Sequence, residues 1–281
     1  MVTQMAKLYL SLSCFHISLS IINMQYKERV PGALFEDNGH YLGRPADATD
    51  RIISRRVRLV EQVAGFTGKG YSLLEVGCGN GATTLMLAPK MKSCLAIDIV
   101  DDYEQDIRKE IERLGLTNCA FQCVNIEEGG EKVAGTFDRI ICFEVIEHLV
   151  KEDSVSFFHK KLADDGILVI SVPNKWWIFE THGAKLPLLP WNRVPFFSWL
   201  PKPLHERWAN ARIYTKKRIC QLLERNGFII KEAKYVTAPM DVLPEGRLKR
   251  FLIRRFFNKD STNIPFKSTS IFVVAVKNNR T

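Results

Sequence analysis

The run Leu73-Leu74-Glu75-Val76-Gly77-Cys78-Gly79-Asn80-Gly81 limits what this chain can fold into more than any other stretch. Its first residues read as a short apolar strand, its alternate glycines as a tight turn, and Ala82 to Lys90 as a helix. Glycine has no Cβ, so the backbone can turn sharply there or come close to a ligand. The first turn of the following helix offers free N–H groups. Such strand–turn–helix units hold ligands at the carboxyl ends of strands in open α/β sheets. The spacing is G-x-G-x-G, not the G-x-G-x-x-G of dinucleotide sites, and Glu75 sets a carboxylate close to the loop. That acid would repel a pyrophosphate. It tolerates a cofactor with a cationic amino-acid portion.

The rest of the chain continues the alternation expected of a mostly parallel sheet with helices on both faces. Strands are predicted at Cys94 to Ile99, Cys119 to Val124, Phe137 to Phe143 and Gly166 to Val172, with a final pair at Phe228 to Val236 and Ser268 to Val276. Helices are predicted at Asp101 to Leu114, Ser154 to Leu162 and Thr215 to Asn226. Upstream, Ala48 to Val63 carries apolar residues at helical spacing. Arg51, Arg55, Arg56 and Arg58 are read as the solvated basic face of that helix, and residues 65–70 as a loop. Residues 1–23 are apolar but interrupted by hydroxyls and His16, too short and polar to span a bilayer. They are expected to pack poorly, with Met24 an alternative start, and residues 24–70 to form a helical cap on a domain spanning residues 71–277.

Hydrophobic content of 46% is enough for a globular core, and the formal net charge of +9 points to an anionic partner surface. None of the seven cysteines forms a C-x-x-C pair. Cys78, Cys94, Cys119, Cys123 and Cys142 are read as small buried hydrophobes in a reducing, cytoplasmic setting.

Glu-Val-Gly-Cys-Gly-Asn-Gly resembles the first motif of class I S-adenosylmethionine (SAM) methyltransferases. The resemblance runs through the order of elements to about residue 277, and it implies a seven-stranded Rossmann-like sheet. It also implies a SAM site made of Glu75, Gly77, Cys78, Gly79 and Gly81, with Asp98 as the ribose-binding acid. Ile99, Asn125, Ile126 and Phe143 complete the implied site. Asn125 stands where the family often has Asp, and its carbonyl oxygen can still meet an exocyclic amine.

A second stretch, Ile140 to Leu149, runs a buried strand into Glu144-x-x-Glu147-His148. Side chains at i, i+3 and i+4 converge if the segment turns helically. Two carboxylates and an imidazole suit Mg²⁺ or a transition ion, or the imidazole can serve as a base. A third stretch, Leu200-Pro201-Lys202-Pro203-Leu204-His205-Glu206-Arg207-Trp208, resembles a segment of ubiquinone-pathway O-methyltransferases that also carry E-x-x-E-H. A similar acid-acid-His pattern with a later His occurs in metal-dependent small-RNA 2′-O-methyltransferases. The resemblance implies a metal site of Glu144, Glu147, His148 and His205, with His148 and Glu147 catalytic and His182 the rival fourth ligand.

Residues 173–211 are rich in Trp, Phe and Pro, and Pro breaks regular structure. They are expected to form a lid that is part satellite core and part cover for a small-molecule acceptor. Gly246 to Phe257 alternates cations with bulky apolars and contains no acid, a pattern that lies on an anionic bilayer surface or packs as a basic helix. The expected reaction is O-methylation of a phenolic, catecholic or lipophilic small molecule, by an enzyme placed in the cytoplasm or peripherally at a membrane. RNA 2′-O-methylation is the second reading, though the cations are spread along the chain and the lid points to an enclosed pocket. A non-catalytic SAM-binding protein is the third, and the intact glycine loop with Asp98 argues against cofactor loss.

Overall fold

In the computed structural model, residues 36–37, 40–41, 50–182, 184, 195–240, 243–244 and 246–278 are described. The expectations for residues 1–23, for Met24, and for much of the cap and part of the lid lie outside them. A short antiparallel pair, β1 (Glu36–Asp37) with β2 (His40–Tyr41), precedes helix α1 (Arg51–Gln62). The α/β alternation follows. β3 (Gly68–Val76) leads to α2 (Ala82–Leu87), which tightens into a 3₁₀ turn at Pro89. β4 (Met91–Asp98) leads to α3 (Glu104–Arg113), and β5 (Cys119–Cys123) to the single turn α4 (Ile126–Gly129). β6 (Phe137–Phe143) and α5 (Ser156–Lys161) precede β7 (Leu162–Pro173). The lid contributes α6 (Lys202–Trp208), and α7 (Lys216–Arg225) opens on Thr215, whose hydroxyl accepts from Arg218 N. β8 (Phe228–Thr237), α8 (Arg247–Phe256), β9 (Ser261–Thr262) and β10 (Ser268–Lys277) complete the chain.

These strands form an eight-stranded sheet in the order β5-β4-β3-β6-β7-β10-β8-β9. β5, β4, β3, β6 and β7 run parallel, while β10 is antiparallel to both β7 and β8. The expected final antiparallel pair is present. The count rises from seven to eight because Ser261 and Thr262 pair with Val236 and Tyr235 at the edge. Alternation within each strand divides the core between the two faces. Leu74, Val76, Ile140, Cys142, Leu168 and Ile170 bury on one side with Leu222 and Leu223 of α7, and Leu73, Ile141 and Val169 on the other with Leu59 and Val60 of α1.

Residues 65–70 are not all loop, because β3 already begins at Gly68, and two further expectations need correction. Two of the four arginines of α1 are not on a solvated face: Arg51 and Arg58 are exposed as expected, but Arg55 and Arg56 are only 3% and 6% exposed. Arg55 donates to Thr237 O and Ala238 O at 2.7 Å and also to Phe257 O, while Arg56 pairs with Glu144 at 2.7 Å. The Arg55 guanidinium satisfies carbonyls where β8 and α8 end, and Arg56 reaches the carboxylate that follows β6, so α1 ties the far edge of the sheet to its centre. Cys123 is exposed and Cys119 half-buried, because β5 is the sheet edge; Cys78, Cys94 and Cys142 are buried as expected.

Candidate active site

The glycine loop sits where the parallel strands end. Gly77 N and Cys78 N donate to Ile97 O at 2.8 and 3.1 Å, clamping the loop onto β4. Gly77 adopts φ +73°, and a Cβ there would stand 2.0 Å from Val145 Cγ2, so position 77 admits glycine only. That contact also sets the loop against the turn that follows β6. Gly81, at φ +74°, starts α2, and its N–H donates to Cys78 O at 2.8 Å.

Asp98 ends β4 and faces this loop. Its Oδ2 accepts from Gly79 N at 2.7 Å and its Oδ1 from Val100 N at 3.3 Å. Burial raises its pKa, and the backbone donors hold that rise back. Glu75 is 3% exposed, accepts a hydrogen bond from the Thr84 hydroxyl, and is pushed up to about 7 by burial. Asn125 follows β5, and its side-chain oxygen accepts from Glu127 N at 3.0 Å, capping α4. Ile99 is exposed beside Asp98, while Ile126 is half-buried against the main core. Cys78 is buried with Ala96 and Ile107, and Phe143 packs into the core under α1, 6.4 Å from Phe272.

The acid–imidazole residues divide differently from the four-ligand expectation. Glu144 has φ +57°, so the segment leaves the strand in a left-handed step before a 3₁₀ turn at Ile146–His148. Its carboxylate swings back to accept from Ser171 Oγ at 2.7 Å and to pair with Arg56. His205 is fully buried and bonds Glu180 Oε2 at 2.8 Å, with Phe197 against its ring. Both residues are engaged elsewhere. His182, the rival ligand, takes the place of His205: ligand atoms of Glu147, His148 and His182 lie within 4.8 Å of one another. His182 Nε2 is 3.5 Å and His148 Nε2 4.0 Å from Glu147 Oε1.

Glu147 is the unusual member. It is 2% exposed, and neither carboxylate oxygen has a hydrogen-bond partner among the described residues. Burial, then the charge of Glu144, pushes its pKa well above the ordinary carboxylate range. Glu180, with no place in the sequence reading, organises the lid side. Burial works to raise its pKa, but the His205 hydrogen bond and the charge of His182 outweigh it and hold the group low. Its carboxylate also accepts from His182 N at 3.1 Å and Ser198 Oγ at 3.1 Å. The available signal was the Glu180-Thr181-His182 spacing, since i and i+2 share a side of an extended chain.

The segment 173–211 carries both buried and exposed aromatics among its described residues. Trp177 and Phe197 are buried, while Trp176, Trp199 and Phe196 are exposed. It is rooted by Asn174, whose amide donates to Pro265 O and Ser268 O at 2.8 Å.

A glycine loop at the centre of this strand order, an acid at the end of the next strand and the antiparallel last strand β10 inserted between β7 and β8 define a class I SAM-dependent methyltransferase fold. The chain belongs to the methyltransferase-domain family, whose sequence profile matches residues 44–233. A ubiquinone biosynthesis O-methyltransferase of Methylococcus capsulatus is 30% identical over 146 residues, 50% of this chain and 61% of that one. The (S)-tetrahydroprotoberberine N-methyltransferase of Eschscholzia californica is 25% identical over 142 residues, 48% of this chain and 37% of that one. The chain thus spans less than two thirds of the length of these relatives. A solved coclaurine N-methyltransferase bound to N-methylheliamine and SAH shares the fold at TM-score 0.54 and 16% identity, covering 96% of this chain and 88% of that one.

Proposed function

We propose that this chain transfers the methyl group of SAM to a hydroxyl oxygen of a phenolic, catecholic or otherwise lipophilic small molecule. The observation that carries the choice of oxygen is Glu147, buried and unpartnered beside His148 and His182. A hydroxyl must lose its proton as it attacks, as must an alkylammonium, whereas a neutral arylamine attacks through a lone pair it already has. A raised carboxylate pKa beside two imidazoles is a proton-accepting arrangement.

SAM supplies a methyl group already activated as a sulfonium. In this reading the Gly77–Gly81 loop lies against its amino-acid end, with Glu75 near the cationic amino group. Asp98 accepts from the ribose hydroxyls, with a lone pair still used by Gly79 N. His148 takes the acceptor proton and relays it to Glu147, whose raised pKa suits it to hold that proton. Positioning carries most of the rate, because the reacting atoms need only be held in line.

The same three side chains also suit a divalent ion. One buried carboxylate with unused oxygens and two imidazoles form a mixed O/N donor set, which favours Zn²⁺, Mn²⁺ or Fe²⁺ over Mg²⁺. An ion held by Glu147, His148 and His182 would lower the pKa of the acceptor hydroxyl.

The test is SAH release from SAM with paired acceptors, each catechol matched to its aniline analogue. Turnover of the catechols alone supports the reading; turnover of the amines alone overturns it.

A further inference from the structure

Helix α8 joins β8 to the sheet edge and takes no part in the site described above. Its inner side is set by Lys249 and Ile253, both 9% exposed, and its carboxyl end is held by Arg55 through Phe257 O. The outer side is unlike an ordinary solvated helix face. Leu248 and Phe251 stand one turn apart at 66% and 55% exposure. On the helix surface the neighbours of Phe251 are Arg247, four residues before it, and Arg254 and Arg255, three and four after it. All three cations are exposed, α8 carries no acid, and no salt bridge to them occurs among the described residues. An apolar pair is therefore ringed by guanidinium groups.

The surface continues to the last residue of the helix and past it. Phe256 is 46% exposed, its ring is 6.4 Å from that of Phe251, and both Arg255 and Lys267 approach it at 5.6 Å. Ile264 and Phe266, next along the chain, are 48% and 47% exposed. Phe266 in turn meets the exposed Trp199 at 5.6 Å.

We propose that this face docks on an anionic lipid bilayer, with Leu248, Phe251 and Phe256 entering the headgroup–acyl boundary and the surrounding arginines against lipid phosphates. Charge complementarity selects the partner. Basic residues gain from the negative surface of an anionic leaflet, and bulky apolars gain from burial at its boundary. A nucleic acid would use the cations but has no use for exposed aliphatic Leu248 and Ile264, and the face is a convex helix rather than a groove. A second copy of the chain would bring the same arginines against one another. The inference does not depend on which molecule is methylated.

The experiment is co-sedimentation of the full chain with phosphatidylcholine vesicles, with and without about one third phosphatidylserine, at physiological salt. Partitioning should be at least about tenfold stronger on the anionic vesicles. Leu248→Ser with Phe251→Ser, and separately Arg254→Glu with Arg255→Glu, should each lose about tenfold or more. All four positions are exposed, so both variants should keep the parent's thermal unfolding midpoint. Phe251→Trp should shift its emission to the blue when anionic vesicles are added. Equal partitioning on both vesicle types, or unchanged partitioning in the two double variants, overturns the proposal. So does loss in those variants of RNA binding or of self-association, with vesicle binding absent from the parent.

Discussion

The two halves of the candidate site are built in opposite ways. On the cofactor side the polar side chains near the loop have partners: Asp98 accepts two backbone N–H groups, Glu75 accepts from Thr84, and Asn80 Oδ1 accepts from Ala82 N at 3.2 Å. The elements that carry these groups are ends of parallel strands locked in register, Val76 beside Ile97 and Cys142. On the acceptor side Glu147 is buried with neither oxygen hydrogen-bonded among the described residues, and its neighbours come from a 3₁₀ turn and the lid. A buried polar group without a partner costs about 1–3 kcal/mol. The first half is satisfied as it stands, while the second holds an unmet demand for a proton, an ion or an acceptor. Gly77 against Val145 is where the two halves touch.

The largest expected effect separates chemistry from folding. Glu147→Gln should reduce kcat by about 10²–10⁴, with SAM affinity unchanged and the unfolding midpoint level or higher. A matching fall in stability would make Glu147 structural instead. Chelation by EDTA divides the two catalytic readings: activity that survives leaves His148 as base, and activity lost and restored by Zn²⁺ or Mn²⁺ establishes the ion.

The lid histidines should behave as opposites. His205→Ala removes the 2.8 Å hydrogen bond to the buried Glu180 carboxylate, which keeps His182 N and Ser198 Oγ, and should cost about 1–3 kcal/mol of stability in urea. His182→Ala, on the site side, should cost under about 1 kcal/mol of stability while lowering kcat severalfold or more. Reversed results would return His205 to the reactive cluster.

The contact between the halves can be tested on its own. Gly77→Ala should destabilise by about 3 kcal/mol, from the left-handed backbone and the clash with Val145. Val145→Ala in the same chain should recover part of that, a coupling of about 1–2 kcal/mol in a double-mutant cycle. Strict additivity would mean that the loop and the turn are independent.

A pH-dependent effect belongs to Glu75. Its pKa is raised to about 7 in the fold from 4.5, so the folded state holds its proton more tightly than the unfolded chain. The associated stability is complete below the unfolded pKa and is lost as pH rises through the folded one. Without SAM, stability should fall by about 2 kcal/mol between about pH 5 and 7, and Glu75→Gln should flatten that slope. An unchanged slope in the variant would assign the titration to another group.

What could be read from sequence follows the same division. The strand–loop unit, the element order and the position of Asp98 depend on local patterning and on the parallel arrangement it imposes. Glu144 and His205 were misplaced because their partners are distant in sequence. An i, i+3, i+4 argument presumes a helix, and the left-handed step at Glu144 breaks it. Arg56 reaching Glu144 and Glu180 reaching His205 are pairings across 88 and 25 residues that periodicity cannot reveal. The buried arginines of α1 were missed for the same reason.

The central claim is that Asp98 and the glycine loop bind SAM, and calorimetric titration of SAM into the parent chain and Asp98→Ala tests it directly. The account predicts saturable one-site binding to the parent and at least tenfold weaker binding to the variant, about 1.4 kcal/mol, with the fold intact by circular dichroism. No binding to the parent, or equal affinity in the two proteins, would contradict it.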